Sequence, residues 1–508
     1  MITLISLSTD VTAYSTRILS AYLRGKGLNT RLIFLPNVEF ESHNALPEEV
    51  PYGKNTIDQV IDLCKGSSLI GISLFTSDFP DAIYLVKHIK KNLNIPVIFG
   101  GKHPSAKPEQ SLLYADMVCI GEGEEALTEL LLKIESGQDY YNTQNIWIKH
   151  NGAIIKNPNR SIIENLDSVP FPDYSCDDHY AWEAGTDKII RLTPEILEKY
   201  MFPEGNTGLI PYKTLFSRGC PFSCTYCYSF KEMYKGQKYL RFRSIVNVIQ
   251  ELELIKKNLH YIQMVELLDD NIFALSLEKI DEFCHTYKKR IGLPMYFTGH
   301  PRDITEEKLS RFIDAGLIIT CMGVQTGSKG TKKLYKRNVP DETILKAVHA
   351  VHKFKNSLVA SEYDVILDNP YETNENLVET IRLLLKFPKP RHFKLFSLTF
   401  FPGTELYEKA KQDGILSEED EFNEYKKNYF GFLYRKRKYL NFIFLFLNQN
   451  VPDFIIKILI NKYVIFLFDR PLINEFFFRT LTSLKKFREK RRGKRRIFVN
   501  TIKPVLLK

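Results

Sequence analysis

Two apolar rhythms alternate along the chain. Short runs at Ile2 to Leu7, Arg31 to Leu35, Leu69 to Leu74, Pro96 to Phe99 and Met117 to Ile120 are rich in Ile, Val and Leu and read as buried strands. Between them, Ala13 to Arg24, Ile57 to Cys64, Asp81 to Asn92 and Glu125 to Ser136 repeat apolar residues at helical spacing. The alternation predicts a parallel, doubly wound sheet with helices on its faces. Asn145 to Ile148 and Ala153 to Lys156, joined at Asn151-Gly152, predict a hairpin. Two prolines stiffen Leu166 to Tyr174, and the polar stretch Asp177 to Gly208 carries no clear period.

The rhythm then resumes. Strands are predicted at Ile262 to Leu268, Met295 to Thr298, Ile318 to Val324, Ser361 to Leu367 and Phe393 to Thr399, with one more leading into Cys220. Helices fall at Glu251 to Lys257, Leu277 to Lys288, Thr305 to Ala315, Thr343 to Lys355 and Glu375 to Phe387. Six such units fit a partial (β/α)6 barrel. In the tail, Tyr439 to Leu447 and Phe454 to Phe468 are strongly apolar, the second interrupted by Lys457, Asn461 and Lys462. Neither reaches the ~20 residues that span a bilayer. Helices packed against the barrel are expected, and an amphipathic surface for a membrane or lipid-like substrate is the sharper alternative.

Composition adds little to the fold and more to the setting. At 508 residues, 44% hydrophobic and 26% charged, the chain is an ordinary soluble one with full cores. Met1 to Ile5 carries no basic start, so it reads as a first strand and not a secretory signal, and a reducing cytoplasm is expected. Between Lys485 and Arg496, nine Lys/Arg face one Glu, a net +8 of the formal +10. The basic character therefore belongs to a tail. It attracts anionic membrane surfaces or nucleic acid, although no stacking-aromatic module accompanies it.

The chemistry concentrates in Ser217-Arg218-Gly219-Cys220-Pro221-Phe222-Ser223-Cys224-Thr225-Tyr226-Cys227. Three of eight cysteines occupy one short loop as Cys-x3-Cys-x2-Cys, while Cys64, Cys119, Cys176, Cys284 and Cys321 are scattered and read as small core residues. Zinc would want a fourth Cys or His, and the next downstream histidine is His260. Three ligands and an open position suit a [4Fe–4S] cluster. The spacing, Tyr226 and the preceding Gly219 resemble the radical S-adenosylmethionine (SAM) family. The resemblance implies that Cys220, Cys224 and Cys227 hold the cluster and that its free iron binds the amino and carboxylate groups of SAM.

Three loops in the first 150 residues follow predicted strands: Thr76-Ser77-Asp78, Gly100-Gly101-Lys102-His103-Pro104-Ser105 and Gly121-Glu122-Gly123-Glu124. Each alone is an ordinary turn. Together, ahead of the cysteines, they resemble the cobalamin-binding domain at the front of many radical SAM enzymes. That resemblance implies cobalamin contacts from Thr76, Ser77, Gly100, Gly101, His103, Glu122, Gly123 and Glu124. The Asp-x-His-x-x-Gly motif of other cobalamin proteins is absent, since Asp177-Asp178-His179 is followed by Trp182 where glycine is needed. His103 is thus not an obvious axial ligand.

Polar motifs also close the later strands. Asp269 and Asp270 resemble the family's contact to the SAM amino group. Gln325 and Ser328 suit its ribose or carboxylate. Asp368 to Thr373 is similar to the family's Gly-x-Pro-x-Glu-Thr turn, with Asp368 in place of glycine and Glu372 within it, and Pro402 begins a Pro-Gly-Thr turn expected near the adenine. Each motif alone is equally readable as a helix cap, but their recurrence at four strand ends favours the site. His300, Arg302, Tyr228, Tyr296 and Tyr371 lie near the expected mouth, and no catalytic acid or base is assigned.

The expected architecture is α/β: a Rossmann-like cobalamin-binding domain at 1–140, a hairpin and proline-rich linker at 141–208, a radical SAM partial barrel at 209–425 and a helical extension at 426–508. The resemblance implies [4Fe–4S], SAM and cobalamin as cofactors and a reductant such as flavodoxin or ferredoxin as partner. One electron would cleave SAM to methionine and a 5′-deoxyadenosyl radical, and a methyl group would pass from the corrin to an unactivated carbon of a small, hydrophobic, lipid-like or macrocyclic substrate. Oxidative cyclisation or rearrangement, as in tetrapyrrole cyclases, is the alternative. A zinc-stabilised nucleic-acid-binding protein and a cobalamin- or light-sensing regulator are the readings from other classes. The protein is expected in the cytoplasm, with contact to the inner face of the membrane through its tail.

Overall fold

In the computed structural model, residues 1–8, 10–36, 52–183, 186–228, 231–425, 439–449 and 451–474 are described. The front half is built on a nine-stranded sheet. Its strands are β1 (Ile2–Ser6), β2 (Thr30–Phe34), β3 (Leu69–Ser73), β4 (Val97–Gly100), β5 (Met117–Cys119), β6 (Ile146–His150), β7 (Ala153–Lys156), β8 (His179–Glu183) and β9 (Lys188–Arg191). The spatial order is β7-β6-β5-β4-β3-β1-β2-β8-β9, and β5-β4-β3-β1-β2-β8 run parallel. Side chains alternate into two separate cores: Ile2 and Leu4 enter one, Ile5 and Leu7 the other. The helices Tyr14–Gly25 and Glu124–Glu135 cover one face, and Lys54–Cys64 and Phe79–Asn92 the other.

The hairpin forms as expected, and Asn151 and Gly152 both have positive φ (49° and 80°), the backbone a tight hairpin turn requires. It does not stand alone in a linker, because β6 pairs antiparallel onto β5. Asp177 to Gly208 supplies two strands that escaped the sequence reading. β8 extends the sheet beside β2, and β9 ends it with an edge whose residues are half or fully exposed. Edge strands are short and partly polar, so their hydrophobic period is weak.

The second sheet has the order β10 (Pro211–Thr214), β13 (Met264–Leu267), β14 (Met295–Gly299), β15 (Leu317–Gln325), β16 (Ala360–Leu367) and β17 (His392–Ser397), all parallel. The six predicted strands are therefore a partial barrel with edges at β10 and β17. Two further short strands, β11 (Ser217–Arg218) and β12 (Arg241–Phe242), pair as a separate ribbon that carries the cysteine loop. Ser244, Ser276, Thr305, Thr373 and Thr404 cap the helices that follow, each accepting the N–H three residues on.

The tail closes the β17 edge. The helix Tyr439–Leu447 is buried almost all round, and Asn448 pairs with both the N–H and the C=O of Phe393 at 2.7 Å, as a further strand would. Phe454 to Phe468 is not one helix. It breaks at Asn461, whose side chain caps the second piece, giving Asp453–Leu459 and Lys462–Phe468. No described helix is long and apolar enough to cross a membrane.

Candidate active site at the junction of the two sheets

The cysteine loop is held from both ends. Asp269, 2% exposed, accepts the N–H of Phe216 (2.8 Å) and of Ser217 (2.6 Å) and the Ser217 hydroxyl, tying β11 to the end of β13. Burial pushes its carboxyl up to about 6 against those hydrogen bonds. Both oxygens already accept from β11 and its approach, so Asp269 positions the loop, and of the two acids expected near an ammonium it is the one so engaged. Gly219 turns the chain at φ 96°, where a Cβ would fall 2.5 Å from the Tyr239 carbonyl oxygen. Within the loop, Phe222 stacks on His300 (3.9 Å, 23°) and Tyr226 meets Tyr335 edge-on at 4.7 Å. Burial holds His300 neutral, its pKa lowered to about 3.

Cys220 and Cys224 are half-buried and Cys227 is exposed. Burial pushes the half-buried Cys220 thiol up to about 12, with the nearby Asp270 charge adding to it. Asp270, exposed, is the member of the acidic pair that faces the cysteines with no hydrogen bond of its own to β11. Arg337 went unnoticed in the sequence. Its Nη1 lies 3.6 Å from Cys224 Sγ, and its Nη2 donates to the Gly323 carbonyl at 2.5 Å. Gln325, next to it at a bulge in β15, has φ 67° and a buried Oε1 without a hydrogen-bond partner. A cavity of about 240 Å³ opens beside Cys220, lined by Lys231, Tyr234, Lys235 and Tyr239.

The carboxyl-end loops of the front sheet dock on this loop. Arg218, beside Gly219, pairs with Glu122 (3.2 Å) and Glu124 (2.5 Å), and the buried Arg241 reaches Glu122 at 2.8 Å. Burial opposes the Glu122 charge, but Arg241 and Arg218 outweigh it and hold the carboxyl below its ordinary value. Tyr234 accepts the Glu122 N–H at 3.1 Å, and a Cβ on Gly121 (φ 77°) would collide with that hydroxyl. Tyr228, next to Cys227, donates to the Lys102 carbonyl. Glu122 and Glu124, expected at the corrin, thus spend their charges on the domain junction.

The other expected contacts divide. Gly101 (φ 105°) packs against the Leu74 backbone, Gly100 accepts from Leu74 N–H at 3.0 Å and Gly123 packs against Leu19. Thr76 is buried with His103, while Ser77 is exposed. His103 is fully buried, stacked on Phe79 at 4.0 Å and edged by Tyr425 from the helix Glu418–Tyr425, with its pKa lowered to about 3 by burial. Its Nδ1 lies 3.3 Å from Thr76 Oγ1, and its buried Nε2 has no hydrogen-bond partner among the described residues. His179 likewise is buried against Asp173 at 3.2 Å. Ser328 caps the helix Lys329–Leu334 and accepts from Asn376 at 2.8 Å. Glu372 accepts from Thr331 at 2.9 Å. Asp368 takes the left-handed conformation (φ 58°) and bridges Ser397 (2.5 Å) to Asn441 of the tail (2.8 Å). Pro402 is buried, and the adjoining Gly403 rests on Ala106 of the front domain.

Strand alternation sorts the barrel. Tyr212, Val265, Phe297, Met322, Val365 and Leu395 point outward into the helical layer. The opposite positions carry Lys213, Glu266, Tyr296, Cys321, Glu362, Asp364 and Lys394. Lys394 pairs with Glu362 and approaches the Tyr296 hydroxyl at 3.4 Å, the Cys321 thiol donates to Asp364 at 3.1 Å, and Lys213 reaches Asp10 of the front domain at 2.7 Å. Burial pushes Asp364 up to about 6. This polar inner face is legible as charges at alternate positions inside strands, as in Ala-Ser-Glu-Tyr-Asp-Val.

The thiols suit iron better than zinc in number. Among the described residues no group of three or more His, Cys, Asp or Glu side chains that could hold a metal is gathered. A half-buried Cys220 and a guanidinium at Cys224 fit an anionic thiolate–iron centre.

Comparison with known proteins agrees with this division. Residues 214–384 match the radical SAM superfamily and residues 2–131 the B12 binding domain. An uncharacterized methyltransferase of Pyrococcus horikoshii, PH0819, is 28% identical over 359 residues, 68% of this chain and 70% of that protein. The anaerobic magnesium-protoporphyrin IX monomethyl ester cyclase of Rubrivivax gelatinosus is 25% identical over 303 residues, 58% of this chain and 49% of the cyclase. Among solved structures, the radical SAM methyltransferase TsrM of Kitasatospora setae, with tryptophan and a SAM analogue bound, superposes with a TM-score of 0.62 at 14% identity, covering 81% of this chain and 76% of TsrM. At that identity the likeness is one of fold.

Proposed function

We propose that this chain, a radical SAM enzyme with a B12-binding domain whose cofactors are a [4Fe–4S] cluster, SAM and cobalamin, C-methylates an unactivated carbon of a small substrate held inside the barrel. When bound, these cofactors supply the electron, the radical and the methyl group. The observation that carries the proposal is the junction itself. Glu122 and Glu124 of the front sheet grip Arg218 and Arg241 on either side of the cysteine loop, so the ligand ends of both sheets meet at one place.

The residues divide the work. Cys220, Cys224 and Cys227 would hold the cluster. Arg337 offers a fork suited to a carboxylate next to Cys224, and the unpartnered Gln325 Oε1 accepts from a hydroxyl or ammonium. Asp269 keeps the loop in register, and Phe222 on His300 shields its inner side from water. The exposed loop groups Ser77 and Asp270 and the backbone at Gly100 and Gly101 remain the candidates for cofactor contact. The polar inner face favours, within the small hydrophobic, lipid-like or macrocyclic class expected, a substrate that carries polar groups of its own.

Relatedness to the cyclase keeps oxidative ring closure as the second reading. The test is anaerobic reconstitution with iron, sulfide, cobalamin and SAM labelled in its methyl group, incubated with a small-molecule extract and followed by mass spectrometry. The label is expected in a substrate-derived product. SAM cleavage with product formation but no label would establish the cyclase reading, and a protein with zinc and no acid-labile sulfide would remove both.

A further inference from the structure

The helices Asp453–Leu459 and Lys462–Phe468 lie on the outside of the closed β17 edge, and each has one buried side. Ile456, Ile460 and Ile465 face the core. On the opposite side Phe454 is 65% exposed, Ile458 58%, Tyr463 72%, Phe466 72% and Leu472 86%. Single exposed apolar residues need no explanation, but four large ones on two adjacent short helices, with Leu472 just beyond them, form a surface built to meet something apolar.

The charges around the patch choose the partner. Lys457, Lys462 and Arg470 are exposed, Lys462 lies 5.0 Å from the ring of Tyr463, and Arg470 lies 4.7 Å from that of Phe466. The acids of the same segment are already paired: Asp453 pairs with Arg391 (2.7 Å) and Lys389 (3.0 Å), and Asp469 accepts from Asn374 and from the N–H of Tyr439. Aromatic and aliphatic side chains rimmed by exposed cations, with the described acids of the segment neutralised by partners of their own, match the boundary of an anionic bilayer, where rings enter the headgroup layer and cations meet phosphate. The sequence continues with the net +8 run at Lys485 to Arg496. A second copy of the chain would bring these cations against one another. We propose that this face is a peripheral docking surface for an anionic lipid membrane, binding in the interface plane without crossing it. The proposal is independent of the reaction assigned to the barrel.

The full chain is tested by co-sedimentation with phosphatidylcholine vesicles, with and without phosphatidylglycerol. Binding is expected to the anionic vesicles, to fall with added salt, and to be lost in the Phe454→Glu/Phe466→Glu/Leu472→Glu variant. Lys457→Gln/Lys462→Gln/Arg470→Gln is expected to weaken partitioning roughly tenfold or more. Circular dichroism and SAM cleavage should be unchanged in both variants, since none of these residues touches the barrel mouth. Wild-type protein that stays in the supernatant overturns the proposal, as does a triple-Glu variant that binds equally well. Light scattering that shows a dimer dissolved by the triple-Glu change, without vesicle binding, assigns the face to self-association instead.

Discussion

The two parallel sheets bury their faces on different terms. The front sheet is apolar on both sides, with Ile2 and Leu4 in one core and Ile5 and Leu7 in another, so a ligand has access only at its ends. The barrel sheet is apolar outward and polar inward, with the ion pair of Glu362 and Lys394 and the Cys321 thiol donating to Asp364. A sheet wrapped in helices on both faces can present loops but cannot surround a substrate. A curved sheet covered on its outside alone keeps an inner face for one. The difference assigns presentation to the front sheet and enclosure to the barrel, and the junction at Glu122 couples them.

The largest effect expected from that assignment is at the cysteines. Cys224→Ala should abolish both the cluster absorbance and SAM cleavage, while leaving cobalamin retention by the front sheet intact, as measured by absorbance after gel filtration. Loss of cobalamin alone would break the division. Next is the junction. Glu122→Ala strips Arg241 of a partner where that side chain is 4% exposed, an uncompensated buried charge that should cost about 3 kcal/mol in denaturant unfolding. Methyl transfer should fall more steeply than SAM cleavage.

The inner face comes third. Replacing the pair together, as Glu362→Leu/Lys394→Met, should leave stability within about 1 kcal/mol but lower product formation roughly tenfold while SAM is still cleaved. An unchanged product yield would make the inner charges mere packing. Asn448→Ala, which unpairs the edge strand at Phe393, should cost about 1–2 kcal/mol without altering turnover. The smallest effect is that of pH on the junction. Because the Glu122 pKa is lowered on folding, its contribution is present above the ordinary glutamate value of about 4.3 and is lost as pH falls through the lower folded value. Docking followed by small-angle scattering should be flat from about pH 8 to 5 and weaken only below the glutamate range.

Much of the scaffold was readable because it depends on local periods. The six barrel strands and the helices between them follow from apolar spacing, and Thr373 was recognisable as a cap before its hydroxyl was seen accepting from Asn376. β8 and β9 were not readable, since an edge strand needs few apolar residues. The site contacts were legible in kind more than in role. Asp269, Glu122, Glu124 and Ser328 stand at strand ends where ligands are expected, yet a carboxylate or hydroxyl there satisfies backbone N–H groups or a neighbouring arginine equally well. Arg337, 113 residues beyond Cys224, carried no local signal of its proximity.

The linear chain therefore determined the cysteine spacing, the two strand–helix series and the apolar tail, all of which rest on interactions between residues near in sequence. Which carboxylates are spent on the junction, which charges line the barrel and which side of the tail stays exposed were decided by tertiary structure alone. Each depends on what arrives from a distant segment to neutralise or bury a group, and burial and pairing are properties of the folded neighbourhood.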